Sequence, residues 1–147
     1  MEGIRMAFGE HAGKTMQVAV IDDDPDILKV LRVILGARGI EVQEALSGLK
    51  GFVMVKRELP DVVLLDIMMP DIDGFEVLRK LKLDPETAGI PVIFLSAKTG
   101  KEHVERGLSL GAQGYVTKPF DPEELVVKIE EVAGRTMPET EAGTEEY

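Results

Sequence analysis

The stretch Val62-Val63-Leu64-Leu65-Asp66 constrains the fold more than any other. Four β-prone apolar residues run unbroken into one carboxylate. Turn residues follow at Pro70, Asp71, Asp73 and Gly74. A strand with one wet face alternates polar and apolar residues. An unbroken run buries both faces, which places it in a parallel sheet covered by helices on either side. Ligands of such sheets bind at the carboxyl ends of the strands. Asp66 stands at such an end.

The same pattern recurs along the chain. Gln17–Ile21 reads as a buried strand that ends in Asp22-Asp23-Asp24-Pro25. Asp24 before Pro25 is a helix start, N-cap then first turn. Ile27, Leu28, Leu31, Ile34 and Leu35 keep helical spacing up to a stop at Gly39. Residues 40–45 alternate and predict a more exposed strand. Ser47 caps a helix over 48–58, with Leu49, Phe52, Val53 and Val55 as its apolar positions. Gly51 weakens that helix by about 1 kcal/mol relative to Ala. The central strand spans 61–66, and Asp73 caps a helix over 74–83. Residues 91–95 form a fourth strand ending at Ser96, and a helix over 101–110 carries only Val104, Leu108 and Leu110. Residues 113–117 form a fifth strand leading to Lys118-Pro119-Phe120. Asp121-Pro122 opens a last helix reaching about residue 134. Five strands alternating with five helices predict a doubly wound α/β domain with a parallel sheet and right-handed crossovers. The expected form is the flavodoxin-like (βα)5 fold, whose five-stranded parallel sheet has order 2-1-3-4-5 and helices on both faces.

The periphery reads differently. Residues 1–15 show no periodicity and read as a flexible leader, or as the product of a start codon upstream of Met16. Gly9–Thr15 imitates a phosphate-binding loop but fails, because Phe8 stands where the first glycine is required and no strand precedes it. His11 and His103 read as solvated residues. Residues 136–147 hold four Glu and almost no core formers, and read as a disordered acidic tail. The domain proper is therefore 16–135. The chain has no Cys, which excludes disulfides, thiolate metal sites and a Cys nucleophile. Its 17 Lys and Arg are scattered and its formal charge is −10, which opposes nucleic-acid binding. No apolar run approaches the length of a membrane span, so the expectation is a cytoplasmic protein without membrane insertion or direct DNA binding.

Each polar residue of interest follows a strand: Asp22 and Asp23 the first, Asp66 the third, Ser96 the fourth, Lys118 the fifth. In the 2-1-3-4-5 order, strands 1 and 3 are neighbours at the switch point, so the carboxylates converge across one crevice. Crowded carboxylates raise one another's proton affinity, and a hard divalent cation relieves the repulsion. Oxygen ligands suit Mg²⁺, with Mn²⁺ as the alternative ion. A carboxylate beside such an ion can act as a nucleophile towards phosphorus, with Lys118, Ser96 and backbone N–H groups stabilising the transferring group.

The sequence resembles the receiver domain of the two-component response-regulator family, of the stand-alone, chemotaxis or sporulation-regulator type. The resemblance covers about 16–135. It is carried in order by Val20-Ile21-Asp22-Asp23-Asp24-Pro25, Leu64-Leu65-Asp66-Ile67-Met68-Met69-Pro70, Asp73-Gly74, Phe94-Leu95-Ser96-Ala97 and Tyr115-Val116-Thr117-Lys118-Pro119-Phe120. It implies that Asp66 is the phospho-acceptor for a sensor histidine kinase. Asp23 and Asp66 would ligate Mg²⁺ directly, Asp22 mainly through water, and Met68 by its backbone carbonyl. Ser96 would hydrogen-bond the phosphoryl group, Lys118 would pair with its oxygen, and the Lys118–Pro119 bond would be cis. Tyr115 would be the aromatic switch. A downstream protein target or a histidine phosphotransfer protein would read the face formed by the fourth helix, fifth strand and fifth helix. Lys98 flanks the site opening, where it would tune water access. A phosphorelay carrier is the alternative function. A Mg²⁺-dependent phosphohydrolase is disfavoured because Met68 stands where such an enzyme needs a second Asp, so no turnover enzyme is expected. A phosphorylation-independent docking module is disfavoured because every expected site residue is present.

Overall fold

The computed structural model describes residues 15–134. His11, the leader apart from Thr15, and the tail 136–147 lie outside the described residues. Ten elements alternate: β1 (Gln17–Ile21), α1 (Pro25–Gly36), β2 (Glu41–Ala45), α2 (Gly48–Glu58), β3 (Val62–Leu65), α3 (Gly74–Leu83), β4 (Val92–Ser96), α4 (Lys101–Ser109), β5 (Gly114–Thr117) and α5 (Pro122–Val132). All strand pairs are parallel, as the alternation predicts, and the sheet order is β2-β1-β3-β4-β5, the order expected of the flavodoxin-like form. Asp66 lies one residue beyond β3, which is a residue shorter at each end than the sequence pattern implies.

The sheet is buried on both faces because successive side chains point to opposite sides. Ala19, Ile21, Val63, Leu65, Val92 and Phe94 pack against Met54, Val55, Phe75, Val77, Leu78 and Leu81 of α2 and α3. Val18, Val20, Val62, Leu64, Ile93 and Leu95 pack against Leu28, Leu31 and Leu35 of α1 and Leu125, Val126 and Ile129 of α5. β2 is an edge strand and is only partly covered, consistent with its alternating sequence.

Side-chain oxygens start four helices. Asp24 accepts from Asp26 N, Ser47 from Lys50 N, Asp73 from Glu76 N and Asp121 from Glu123 N. α1 ends at Gly36, ahead of the expected stop, and Gly39 supplies the left-handed turn at φ 76° that leads into β2. α2 ends on Leu59 at φ 48°, a left-handed cap made by a non-glycine residue just before Pro60.

Two helices depart from their sequence patterns. Leu49 and Val53, expected to be core positions of α2, are 47% and 58% exposed. The buried residues of α2 are Gly48, Gly51, Met54 and Val55. A Cβ at Gly51 would lie 2.6 Å from Ile21 side-chain atoms, so glycine lets the helix seat directly on β1. In α4 the buried residue is Gly107, whose absent Cβ would meet the Phe94 ring at 2.9 Å, while Leu108 points to solvent. Both helices use glycine for contact, which a count of apolar side chains does not detect.

Candidate functional site

Strand register assembles the site. Ile21 is paired with Leu65, so the next residues, Asp22 and Asp66, leave the sheet side by side. Asp66 N donates to Ile21 O at 3.0 Å, and Asp22 N donates to Ala45 O at 3.1 Å. Ser96 is paired with Thr117, and Lys118 N donates to Ser96 O at 2.9 Å, which anchors the start of the last loop. The Lys118–Pro119 peptide is cis.

Carboxylate oxygens of Asp22, Asp23 and Asp66 lie within 4.8 Å of one another. Asp22 and Asp66 are buried and Asp23 is exposed, so the cluster opens to solvent on one side. Burial raises the Asp66 carboxyl above its ordinary range, and the neighbouring charge of Asp22 adds to the rise. Lys118 and the Ile67 amide oppose it. The Ile67 N–H donates to Asp66 Oδ1 at 2.8 Å and fixes that oxygen. Asp22 is oriented from both sides: Asp24 N donates to Oδ1 at 2.9 Å, and Lys118 Nζ donates to Oδ2 at 2.7 Å. The ammonium lies farther from Asp66, at 3.6 Å. Lys118 is therefore principally the partner of Asp22 and a secondary neutraliser of Asp66. Three carboxylates against one ammonium leave an excess of negative charge in a partly buried space. That donor set of hard oxygens fits a small divalent cation.

Ser96 and Tyr115 meet at the Lys98 backbone. The Ser96 hydroxyl accepts from Lys98 N at 3.1 Å, and the Tyr115 hydroxyl donates to Lys98 O at 2.6 Å. Partial burial raises the Tyr115 phenol above its usual range. Tyr115 also packs on Phe94, and Phe94 on Phe75, with centroid separations of 5.8 and 5.3 Å. Arg106 of α4 places its guanidinium 4.2 Å from the centre of the Phe75 ring. Met68 is 58% exposed, so its side chain is not a buried ligand. Met68, Lys98, His103 and Arg106 line a cavity of about 570 Å³ that begins at Asp23. A groove of about 710 Å³ lies elsewhere, between α1 and α2, and is lined by none of Asp22, Asp23 and Asp66.

Residues 18–130 match the family described as the response regulator receiver domain. The chain is a member of that family. The receiver is 38% identical over 120 residues to the DNA-binding dual master transcriptional regulator RpaA of Synechocystis, covering 82% of this chain and 50% of RpaA. It is 39% identical over 126 residues to the phosphate regulon transcriptional regulatory protein PhoB of Pseudomonas aeruginosa, covering 86% of this chain and 54% of PhoB. The chain thus spans about half the length of these curated relatives. The crystal structure of a putative response regulator from Chloroflexus aurantiacus superposes on the receiver with TM-score 0.79 at 30% identity, covering 83% of this chain and all of that one. A CheY-like receiver domain from Methanospirillum hungatei superposes with TM-score 0.75 at 32% identity, covering 82% and 95%.

Two residues of the receiver's site region carry more than the sequence pattern assigns them. A Cβ at Gly74 would lie 2.2 Å from the Asp66 carbonyl oxygen, so α3 can start against the strand end only with glycine there. Asp71, read as a turn residue, accepts from Gly48 N at 3.0 Å and Leu49 N at 2.8 Å across 23 and 22 residues of sequence. Glycine after a capping Asp was a usable signal for the first; nothing local signals the second.

Proposed function

We propose that this receiver accepts a phosphoryl group on Asp66 from the phosphohistidine of a sensor histidine kinase and uses it to switch protein contacts. The observation that carries the reading is the buried Asp66 carboxylate, held by the Ile67 amide and flanked by Asp22, Asp23 and Lys118. Asp66 Oδ attacks phosphorus, the N–P bond breaks, and the imidazole departs with its electron pair. Asp23 and Asp66, with the Met68 carbonyl and Asp22 through water, would hold Mg²⁺ or Mn²⁺. The ion, when bound, supplies positive charge to the phosphoryl oxygens. Lys118 then has two anionic neighbours to choose between, Asp22 and the new phosphoryl group. Phosphorylation brings charge near −2 into the site. The Ser96 hydroxyl can leave the Lys98 amide for a phosphoryl oxygen, and the Lys98 carbonyl links that movement to Tyr115. The face formed by α4, β5 and α5 suits a protein reader, because α4 buries little besides Gly107, and Leu108 and Val127 are exposed.

DNA binding in RpaA and transcriptional regulation by PhoB are roles of those proteins. Here the net charge of −10 opposes direct nucleic-acid contact, and output runs through protein partners. No helix among the described residues is long and apolar enough to cross a membrane; membership of the receiver family is what supports a cytoplasmic location. Met68, rather than an acid, stands two residues after Asp66, which supports a signalling role over turnover of other substrates. The test uses a small acyl-phosphate donor with Mg²⁺. The wild-type protein gains one acid-stable, base-labile phosphate by mass, whereas Asp66→Asn gains none and Asp23→Ala loses the Mg²⁺-dependent reaction. Equal labelling of Asp66→Asn refutes the assignment.

A further inference from the structure

The loop between β3 and α3 is fastened at two points. Near α3, Gly74 N donates to Ile67 O at 2.7 Å, and Asp73 caps the helix through Glu76 N at 2.9 Å. At the outer turn, Asp71 reaches a different helix. Its two carboxylate oxygens each take one amide of the first turn of α2, those of Gly48 and Leu49. α2 has its own cap in Ser47, whose hydroxyl accepts from Lys50 N at 3.3 Å. The Asp71 contacts are therefore a join between two elements, in addition to a local helix cap.

The join has little room to slide. A Cβ at Gly48 would lie 2.7 Å from Ile72 Cγ1 and 3.1 Å from Ile72 O. α2 in turn rests on Ile21, the residue before Asp22, through Gly51. A continuous set of close contacts thus runs from the end of β1, through α2, to the loop that contains Met68. Asp71 is not one of the three acids whose oxygens converge.

We propose that Asp71 is a positioning residue for the cation: it clamps the β3–α3 loop to α2 and so fixes the loop backbone at Met68 relative to the acid cluster. This rests on the metal reading given above. A loop released from the clamp must be ordered by the ion itself, and that entropy is lost from its affinity. Groups that orient metal ligands without touching the metal typically contribute 10- to 100-fold in affinity. A backbone ligand on a loop with a second fastening belongs at the low end.

The experiment is a Mg²⁺ titration of the unphosphorylated protein followed by amide chemical shifts, with amide hydrogen exchange on the same samples. Asp71→Ala binds Mg²⁺ about tenfold more weakly and speeds exchange at Gly48 and Leu49. Asp71→Asn, which keeps one carbonyl acceptor, falls between it and the wild type and carries the comparison if the Ala variant does not fold. Ser47→Ala removes a cap of the same helix but leaves the join, so it lowers the melting temperature and keeps wild-type Mg²⁺ affinity. Wild-type affinity in Asp71→Ala overturns the proposal. So does an equal loss in Ser47→Ala, because helix stability alone would then govern the ion. Asp23→Ala separates the two readings. If it retains Mg²⁺, or the wild type binds none, the metal site and the clamp fall together. If it loses the ion while Asp71→Ala keeps it, the clamp alone falls.

Discussion

Gly74→Ala tests the closest contact in the site region. Gly74 does not occupy the left-handed region, so alanine meets no dihedral penalty there and the effect is purely steric. The added Cβ would lie 2.2 Å from the Asp66 carbonyl oxygen and 2.8 Å from Ile67 Cα. A comfortable C···O approach is about 3.3 Å, so α3 must retreat by about 1 Å. Both obstacles are backbone atoms and cannot rotate away. The retreat stretches the 2.7 Å bond from Gly74 N to Ile67 O. Overpacking costs about 1–3 kcal/mol and a weakened hydrogen bond about 1 kcal/mol, so the expected loss is about 3 kcal/mol. For a domain of this size that lowers the melting temperature by about 10 °C. Urea unfolding followed by far-UV circular dichroism measures it, and Gly36→Ala is the control. Gly36 is helical and exposed, with nothing within 4 Å of its added Cβ, so that change is neutral or stabilising by up to about 1 kcal/mol. A Gly74→Ala protein within about 0.5 kcal/mol of wild type would refute the steric reasoning and the seating of α3 on the strand end.

Gly51→Ala gains about 1 kcal/mol of helix propensity but drives a Cβ into Ile21, so urea unfolding should show a net destabilisation of about 1 kcal/mol; a stabilised variant would contradict the packing. Met54→Ala should cost about 2–5 kcal/mol, whereas Val53→Ala, one residue earlier but exposed, should stay within about 0.5 kcal/mol; the reverse order in unfolding midpoints would show that the α2 stripe is misplaced. Hydrogen bonds from the Leu49 and Gly48 amides hold the Asp71 carboxyl below the usual carboxylate range. Its folded pKa is thus below its unfolded value. Its contribution is present above the unfolded pKa, near about 4, and is lost as pH falls through the folded one. In Mg²⁺-free thermal melts the gap between wild type and Asp71→Asn should therefore narrow below about pH 4, and a constant gap would count against the two bonds.

Much of this molecule is written locally. The run Val62–Leu65 needs two covered faces, and Asp24, Ser47, Asp73 and Asp121 start helices from within four residues of sequence. Alternating elements then leave few topologies, and the strand-end positions of Asp22, Asp66, Ser96 and Lys118 follow from that topology. Those features were legible because each depends on periodicity or on a neighbour in sequence. Tertiary structure decided the rest, through approaches across the fold. It turned Leu49 and Val53 outward and seated α2 on Ile21 through Gly51, where the sequence alone made that glycine a weakness. It joined Lys118 principally to Asp22 and brought Ser96 and Tyr115 together on the Lys98 backbone. It sent Asp71 across to α2, which no local pattern marks. The physical reason is common to all of these. A glycine selected for what its missing side chain allows, and a carboxylate selected for amides more than 20 residues away, leave no periodic trace. Asp66 needed both kinds of information: its place at a strand end came from the sequence, and its burial, its fixed oxygen and its charged neighbours came from the fold.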